Sequence, residues 1–301
     1  MRVLISGSSG FIGQALTDTL LAHGHEPIAL KRTTGKVSSH TVVWEPIARG
    51  TWDSDIGDVD AVVNLAGANL AARRWSADFQ KIIRESRITG TTQLCCHLAS
   101  LNRRPSVLIS ASATGYYGHR GDEVLTEDST PGRGFLCELC HEWESASAPA
   151  KDAGIRVVNP RIGVVLARHG GALAKMLPIF RLGLGGKLGS GKQWMSWVTL
   201  SDLLEIILRA ISDQTLSGPV NAVAPNPVTN TEFTRQLGHV LRRPALLPAP
   251  AFALRVALGP MADEALLSSA RVQPQKLQGV RHNFQHSDVA AALQSVLTAQ
   301  K

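Results

Sequence analysis

Residues 3–13 read Val-Leu-Ile-Ser-Gly-Ser-Ser-Gly-Phe-Ile-Gly, and this stretch decides the fold. Its apolar start predicts a short buried strand, and the apolar residues that follow it recur at helical spacing. The glycines between them therefore stand where a strand turns into a helix. Such a turn presents unpaired backbone N–H groups to an anion, and the missing side chains leave room for a phosphate. The residues predicted to bind a dinucleotide here are Gly7, Gly10, Phe11, Ile12 and Gly13.

The rest of the first half alternates strand and helix signals. Short apolar runs predict further strands at Pro27–Leu30, Thr41–Trp44, Ala61–Leu65, Val107–Ile109 and Ile155–Val158. Apolar residues at helical spacing predict one long helix after the strand that starts at Ala61 and a second at about 133–148. Strands separated by helices predict an α/β fold with a parallel sheet covered on both faces. Right-handed crossovers make this a Rossmann-like, doubly wound sheet.

After Pro160 the pattern changes, because glycine and proline become dense. Helical segments are still predicted at 199–212, 230–241, 250–258 and 287–298. This mixture predicts a smaller C-terminal α/β substrate lobe. The predicted organisation is a Rossmann domain over 1–160 with elements returning near 192–225, a substrate lobe and cleft over 161–248, and a C-terminal domain over 249–298.

Composition excludes several classes of protein. Of the 301 residues, 44% are hydrophobic and 18% charged, which is ordinary for a globular enzyme and not for a disordered, collagen-like or coiled-coil chain. No apolar stretch is long enough to predict a membrane span. The first strand begins at Arg2 and runs straight into the glycine turn, so no secretory or transit peptide is predicted and a cytoplasmic location is expected.

The charge balance raises the question of an anionic partner. With 31 basic and 24 acidic residues the net charge is +7, and nucleic acid is the first anion to consider. The basic residues are dispersed as pairs, however, and aromatic residues make up only 5% of the chain. We therefore expect a small-molecule partner carrying phosphate, with neither nucleic acid nor membrane as partner. The oligomeric state is left open.

The four cysteines do not predict a metal site. Cys137 and Cys140 form a single CxxC pair, which supplies two of the four ligands that a structural zinc needs. The pair lies in a predicted helix, and the expectation is that both thiols are buried as small apolar groups.

The end of the second strand predicts which dinucleotide binds. Sheets that bind NAD place an acidic residue there for the ribose 2′-hydroxyl. This chain has Lys31 and Arg32 instead. Two cations suit a 2′-phosphate, and so the predicted cofactor is NADP(H). The alternative is that the two residues are simply a solvated basic strand end.

Blocks along the whole chain resemble the extended short-chain dehydrogenase/reductase superfamily in its epimerase branch, and within it the atypical YfcH-like group with its C-terminal domain of unknown function. The blocks that carry this resemblance are Leu4–Gly13, Val63–Ala68, Arg73–Trp75, Ser86–Thr89, Ala113–Gly118, Phe180–Gly186, Gly189–Gln193, Ser196–Val198 with Asp202, Gly218–Asn221, and the tail at about 249–298.

The resemblance implies roles for matched positions. The residues that it places at the cofactor are Asn64, Leu65, Ala66, Gly67, Arg87, Pro160 and Arg161. The first four would lie along the adenine-side ribose, Arg87 would face the cofactor from a helix, and the last two, just past the sixth strand, would lie beside the nicotinamide. The alternatives are a plain strand-to-helix turn at 64–67 and a surface salt bridge for Arg87.

The chain departs from the superfamily where protons are exchanged. The superfamily uses Tyr-x-x-x-Lys on the helix after the fifth strand, but Phe135 and Leu139 occupy those positions here. Neither side chain can exchange a proton. The remaining candidate for proton exchange is Tyr116, and Ser112 is the candidate for its hydroxyl partner. The alternative for Tyr116 is packing or substrate contact, since the sequence shows no nearby cation that would lower the phenol pKa.

Two hypotheses follow from these features. The first is an NADP(H)-dependent oxidoreductase or epimerase acting on a small substrate, with nucleotide-linked ones among the candidates. Gln193, Trp194 and Trp197 support it, because they resemble the lining of a substrate pocket. The second is a catalytically inactive NADP(H) sensor or regulatory protein, which the loss of the Tyr and Lys favours.

Overall fold

A computed structural model describes residues 1–31, 40–44 and 58–298. Its strands are β1 (Arg2–Ser6), β2 (Glu26–Lys31), β3 (Thr41–Val43), β4 (Ala61–Asn64), β5 (Val107–Ser110), β6 (Ser112–Ala113), β7 (Val124–Leu125), β8 (Arg156–Ile162), β9 (Val164–Leu166), β10 (Trp194–Met195), β11 (Trp197–Thr199), β12 (Gly218–Ala222), β13 (Val228–Thr229) and β14 (Arg271–Val272). Its α-helices are α1 (Phe11–Ala22), α2 (Ala77–Ser100), α3 (Phe135–Ser145), α4 (Ala148–Asp152), α5 (Gly171–Arg181), α6 (Leu200–Ser212), α7 (Asn230–Leu241), α8 (Ala251–Leu258), α9 (Gln275–Gly279) and α10 (Val289–Thr298).

The main sheet has the strand order β3-β2-β1-β4-β5-β8-β12. The pairs from β3 through to β8 are parallel. The order reverses at β1, because β2 and β3 follow on one side of it and β4 and β5 on the other. In open parallel sheets, ligands bind beyond the carboxyl ends of the strands at such a reversal. The predicted Rossmann-like α/β fold is confirmed.

The chain forms two compact units. The first consists of residues 1–112, 141–160 and 207–219, and the second of 113–140, 161–206 and the chain from 220 onward. The core of the first unit joins the central strands to α2, with Leu4, Val62, Leu94 and Leu108 fully buried. These strands read as continuous apolar runs because both faces of the sheet are covered.

The core of the second unit is built from helices and short strand pairs. Leu173 and Phe180 of α5 pack with Trp197 of β11, Phe233 of α7 and Leu293 of α10. A second buried cluster in this unit is formed by Tyr116, Tyr117, Leu125, Cys140, Val223 and Val272. The expectation that Cys137 and Cys140 are buried free thiols is confirmed.

Two predicted elements differ from those observed. The helix predicted at 133–148 is two helices: α3 starts after Gly134, whose φ of +114° is not helical, and α4 restarts with Pro149 in its first turn. The sixth strand runs on to Ile162, so Pro160 and Arg161 lie inside β8 and not past it. The predicted strand ends at Val158, before the polar Asn159, but the Asn159 side chain is buried and donates to the Ser110 carbonyl at 3.2 Å, which lets the strand continue.

Within the described residues, none of the helices is both long and apolar enough to cross a membrane.

Candidate functional site

The glycine turn between β1 and α1 has the geometry that the sequence predicts. Gly7 has a φ of +75°, a conformation that favours glycine, and its carbonyl accepts the Gly10 N–H at 2.9 Å. A side chain on Gly7 would lie 2.8 Å from the Leu65 carbonyl carbon, and one on Gly13 would collide with the Gly7 carbonyl oxygen. The turn therefore packs against the end of β4 and against its own helix only because these positions carry no Cβ.

Several polar groups at this turn are available to an anion. The first N–H of the α1 hydrogen-bond ladder is that of Gln14, which donates to the Gly10 carbonyl at 2.9 Å. The N–H groups of Phe11, Ile12 and Gly13 come before it and so have no partner within the helix. The Ser8 Oγ is also buried without a hydrogen-bond partner. These donors lie beside the glycine turn, where the missing side chains leave space. The arrangement fits a phosphate group.

The basic end of β2 is only partly described. Lys31 is the last residue of that strand and is exposed, whereas Arg32 lies outside the described residues. The prediction that both residues bind a 2′-phosphate stays a prediction.

Asn64 is a structural anchor at the end of β4. It is buried, and its Oδ1 accepts the Ser6 hydroxyl at 2.5 Å. Its Nδ2 donates to the Thr91 hydroxyl at 2.9 Å and to the Ser110 hydroxyl at 3.3 Å. The side chain thus joins the ends of β1, β4 and β5 and the middle of α2. The Asn64 carbonyl accepts the Ala111 N–H and the Leu65 N–H donates to the Ser6 carbonyl, so these two residues continue the sheet, and Ala66 and Gly67 are the first residues beyond it.

Arg87 of α2 holds the backbone that follows β4, at residues 67 and 68. It is buried, and its guanidinium donates to the Ala68 carbonyl at 3.1 Å and to the Ile83 carbonyl at 3.3 Å. Its Cζ lies 2.9 Å from where a Cβ on Gly67 would stand, and 5.1 Å from the Trp143 ring centroid. The alternative of a salt bridge at the surface is wrong in its location, because the Arg87 side chain is buried.

Ser112 has a partner that the sequence did not predict. Its buried hydroxyl donates to Glu144 Oε1 of α3 at 2.7 Å. The run His141-Glu142-Trp143-Glu144 carries no local signal for this contact, because Ser112 lies 32 residues earlier in the chain. Within the described residues, no group of His, Cys, Asp and Glu side chains is placed to hold a metal ion.

The helix that replaces the Tyr-x-x-x-Lys helix begins at Phe135, and its start is capped from the C-terminal segment. The Glu264 carboxylate accepts the N–H groups of Phe135 and Leu136, each at 3.0 Å. Leu139 is only 1% exposed, so a packed apolar side chain stands at the position of the lysine.

Tyr116 and Arg161 lie together in the second unit. The Arg161 guanidinium, which is buried, lies over the Tyr116 ring with its Cζ 3.5 Å from the centroid. It also donates to the Tyr117 hydroxyl at 2.9 Å and to the Glu127 carbonyl at 3.3 Å. Burial raises the pKa of Tyr117 to about 12, although Arg161 acts in the opposite direction. The expectation that no cation lies near Tyr116 is therefore wrong.

Two of the three presumed pocket residues are structural. Trp197 is fully buried, and its Nε1 donates to the Asn226 carbonyl at 3.0 Å. Gln193 is buried and donates to the carbonyls of Leu188 and Leu266. Only Trp194 is partly exposed. The interpretation of Trp197 and Gln193 as pocket lining is wrong, because neither is open to a ligand.

A sheet whose strand order reverses beside a glycine turn defines the Rossmann class of α/β folds. Residues 3–222 match the NAD dependent epimerase/dehydratase family, and residues 249–296 match a domain of unknown function, DUF1731. The chain belongs to the NAD dependent epimerase/dehydratase family.

Similar proteins support this assignment over the full length. An epimerase family protein of Mycobacterium leprae is 45% identical over 297 residues, which are 98% of this chain and 95% of the relative. The crystal structure of the human epimerase family protein SDR39U1 (isoform 2) with NADPH has a TM-score of 0.91 at 35% identity, covering 98% of this chain and 99% of the human one. UDP-N-acetylglucosamine 4-epimerase from Bacillus cereus, with a TM-score of 0.75 at 17% identity over 98% of each chain, shares the fold.

Proposed function

We propose that the chain binds NADP(H) and is an oxidoreductase or epimerase acting on a small substrate, with nucleotide-linked compounds among the candidates. The observation that carries the proposal is the glycine turn at the strand-order reversal. Its first-turn N–H groups and the orphaned Ser8 hydroxyl lie where a pyrophosphate is held in this fold. The human relative, whose crystal structure includes NADPH, supports the choice of cofactor.

Different residues of the chain would bind different parts of the cofactor. The N–H groups of Phe11, Ile12 and Gly13 would hold the pyrophosphate, while Lys31 and Arg32 would hold the 2′-phosphate. Asn64 and Arg87 are positioning residues, since their side chains fix the backbone of residues 64–68 through the bonds described above. Pro160 and Arg161 are proposed to act near the nicotinamide end. When bound, NADP(H) supplies a hydride donor or acceptor.

Proton transfer needs a group other than the missing Tyr-Lys pair. Tyr116 carries a phenol, and the Arg161 guanidinium lies over its ring. Ser112 is hydrogen-bonded to Glu144, so a proton leaving Ser112 has a carboxylate to receive it. We propose Tyr116 as the proton donor or acceptor and the Ser112–Glu144 pair as a second place where a proton can be held.

A second candidate function is an NADP(H) sensor or regulatory protein. The observation in its favour is the apolar replacement of both catalytic positions, with Leu139 packed into the interior. A protein of this kind would bind NADPH and not turn it over.

Label transfer distinguishes the two functions. In one arm the protein is incubated with NADPH carrying deuterium at the reactive carbon and with nucleotide-linked keto sugars, which can accept the hydride. In the other arm it is incubated with NADP and with nucleotide sugars, whose alcohol carbons can donate a hydride, and the products of both arms are analysed. Deuterium in a product of the first arm, or NADPH or an inverted sugar in the second, supports the enzyme. Tight NADPH binding with none of these products supports the sensor.

Cofactor choice is tested by calorimetry. One or two charge-assisted hydrogen bonds to the 2′-phosphate should favour NADP over NAD by roughly 1.5–3 kcal/mol, about ten- to a hundredfold. Arg32→Ala and Lys31→Ala should reduce that preference. Equal affinity for both dinucleotides would contradict this part of the proposal.

A further inference from the structure

The second unit carries a group of large apolar side chains that no part of the described chain covers. Their exposed fractions include 82% for Leu246, 74% for Leu182, 73% for Val256 and 70% for Phe252. We call this group the apolar face, and its members are Leu182, Leu184, Leu246, Leu247, Phe252 and Val256. Single exposed apolar residues are normal on protein surfaces, but several that lie on two neighbouring segments of chain indicate an interaction site.

Backbone hydrogen bonds join the two segments of chain that carry the apolar face. The loop after α5 and the segment before α8 run side by side: the Leu247 N–H donates to the Gly185 carbonyl at 3.1 Å, and the Ala249 N–H donates to the Lys187 carbonyl at 2.9 Å. The chain enters α8 directly after this pairing. Phe252 and Val256 are four residues apart on α8 and so project from one side of that helix.

Helix α8 itself has no buried residue. Its sequence, Ala-Phe-Ala-Leu-Arg-Val-Ala-Leu, has one charged side chain, and that residue, Arg255, pairs with Asp263. An eight-residue helix is marginal in water, and helices in proteins are stabilised mainly by packing an apolar side. Helix α8 therefore presents to solvent the residues that a helix normally packs.

The charge of the surrounding surface restricts the occupant. Residues 171–201 and 233–262 contain no Asp or Glu. The exposed charges in these two segments are basic, and Arg181, Lys187, Arg242 and Arg243 are exposed in the same stretches of chain as the leucines of the apolar face. A second copy of this chain meeting the face through a two-fold axis would bring these cations against each other. The occupant that suits the face is apolar and anionic.

We propose that the apolar face docks on the surface of an anionic lipid bilayer. Leucine, phenylalanine and valine side chains would enter the boundary between headgroups and acyl chains, while the arginines and lysine would contact anionic headgroups. This contact is peripheral and needs no spanning helix. The sequence-based expectation of no membrane partner rests on the missing span, and the absence of a span says nothing about a surface assembled from two segments far apart in sequence.

Vesicle co-sedimentation tests the proposal with the full chain. We expect binding to vesicles of phosphatidylcholine with about one-third phosphatidylglycerol, little binding to pure phosphatidylcholine, and weaker binding as salt rises from roughly 0.1 M to 1 M because the Debye length falls about threefold. Phe252→Ser with Val256→Ser should abolish the binding. Arg181→Gln with Lys187→Gln should reduce the partition coefficient about 30-fold, the equivalent of about 2 kcal/mol for two basic side chains.

Matched variants separate docking from general effects. Leu21→Ser changes an exposed apolar residue of the first unit, and Lys81→Gln with Lys151→Gln removes two exposed charges there. These control variants should bind vesicles nearly as wild type does. The control variants and the variants of the apolar face should all keep NADPH binding. The proposal is overturned if anionic vesicles do not bind the wild type, if the controls lose binding as the face variants do, or if sedimentation shows a dimer that Phe252→Ser with Val256→Ser dissociates.

Discussion

The guanidinium of Arg161 lies over the ring of Tyr116, with 3.5 Å between the Arg161 Cζ and the ring centroid. The same guanidinium donates to the hydroxyl of the neighbouring Tyr117. The two tyrosines of the chain therefore share one buried cation but use it differently. Tyr117 is held by its hydroxyl, which also donates to Asn221 at 2.6 Å, whereas Tyr116 meets the cation through its ring.

This difference makes Tyr116→Phe an informative variant. Phenylalanine keeps the ring beneath Arg161 and removes only the phenol oxygen. If the phenol exchanges a proton with substrate, turnover of the substrate found by label transfer should fall by about 10²–10⁴-fold. Unchanged turnover would remove Tyr116 from the proposed chemistry, and a large loss of stability would mean that its hydroxyl has a structural role.

Alkaline pH should destabilise the protein. Burial raises the pKa of Tyr117 to about 12 from an ordinary value of 10, and that of Cys95 to about 12 from 9. As pH rises through the ordinary values, the unfolded chain releases these protons and the folded chain keeps them. The contribution of these two groups to the free energy of unfolding is therefore constant below about pH 9 and falls between about pH 9 and 12, by on the order of 3 kcal/mol per group.

Urea unfolding across this pH range measures the effect, with Cys95→Ala as the comparison. The cavity left by the missing sulfur lowers stability equally at every pH, so the diagnostic quantity is the slope. Cys95→Ala should show a shallower fall above pH 9 than wild type. Parallel curves would contradict the assignment for Cys95.

Glu264 should stabilise the start of α3. Glu264→Ala leaves the N–H groups of Phe135 and Leu136 without their carboxylate and removes a negative charge from a helix N-terminus, which should cost about 1–2 kcal/mol. Glu264→Gln keeps an acceptor without the charge and should cost less. Chemical denaturation of the two variants checks this order, and a Gln variant as unstable as the Ala variant would contradict it.

The Tyr-x-x-x-Lys pair should not be recoverable by two substitutions. Phe135 is half-buried and begins α3, so Phe135→Tyr should fold normally. Leu139 is 1% exposed, and Leu139→Lys would bury an ammonium group, which should lower stability by several kcal/mol. Thermal unfolding of each single variant tests this. A Phe135→Tyr/Leu139→Lys double variant that is stable and transfers hydride would contradict this. It would mean that the site lacks only these two side chains and is otherwise intact.

The sequence predicted the parts of the fold that depend on local patterns. Apolar runs such as Val107–Ile109 and the glycine spacing at Gly7, Gly10 and Gly13 carry their own signal, and so the sheet and its turn could be anticipated. The continuation of β8 through Asn159 could not be anticipated, because it depends on a hydrogen bond to Ser110, which lies far away in the chain. The partners of Ser112, Tyr116 and Phe135 were missed for the same reason, since Glu144, Arg161 and Glu264 reach them only in the folded protein. The exposure of α8 could not be predicted either, because it depends on which other segments pack against the helix in the folded protein.

Titration calorimetry of NADPH into wild type and Gly10→Val tests the central claim most directly. Gly10 has a φ of −77° and a ψ of 170°, which valine adopts, and its Cβ would lie 3.2 Å from the Gly7 carbonyl oxygen, so the variant should fold. Gly279→Val, with nothing within 4 Å of the new Cβ, is the matched control. We predict that wild type and the control bind NADPH and that Gly10→Val, folded by circular dichroism, does not. NADPH binding by Gly10→Val with wild-type affinity would contradict the assignment of the glycine turn as the cofactor site.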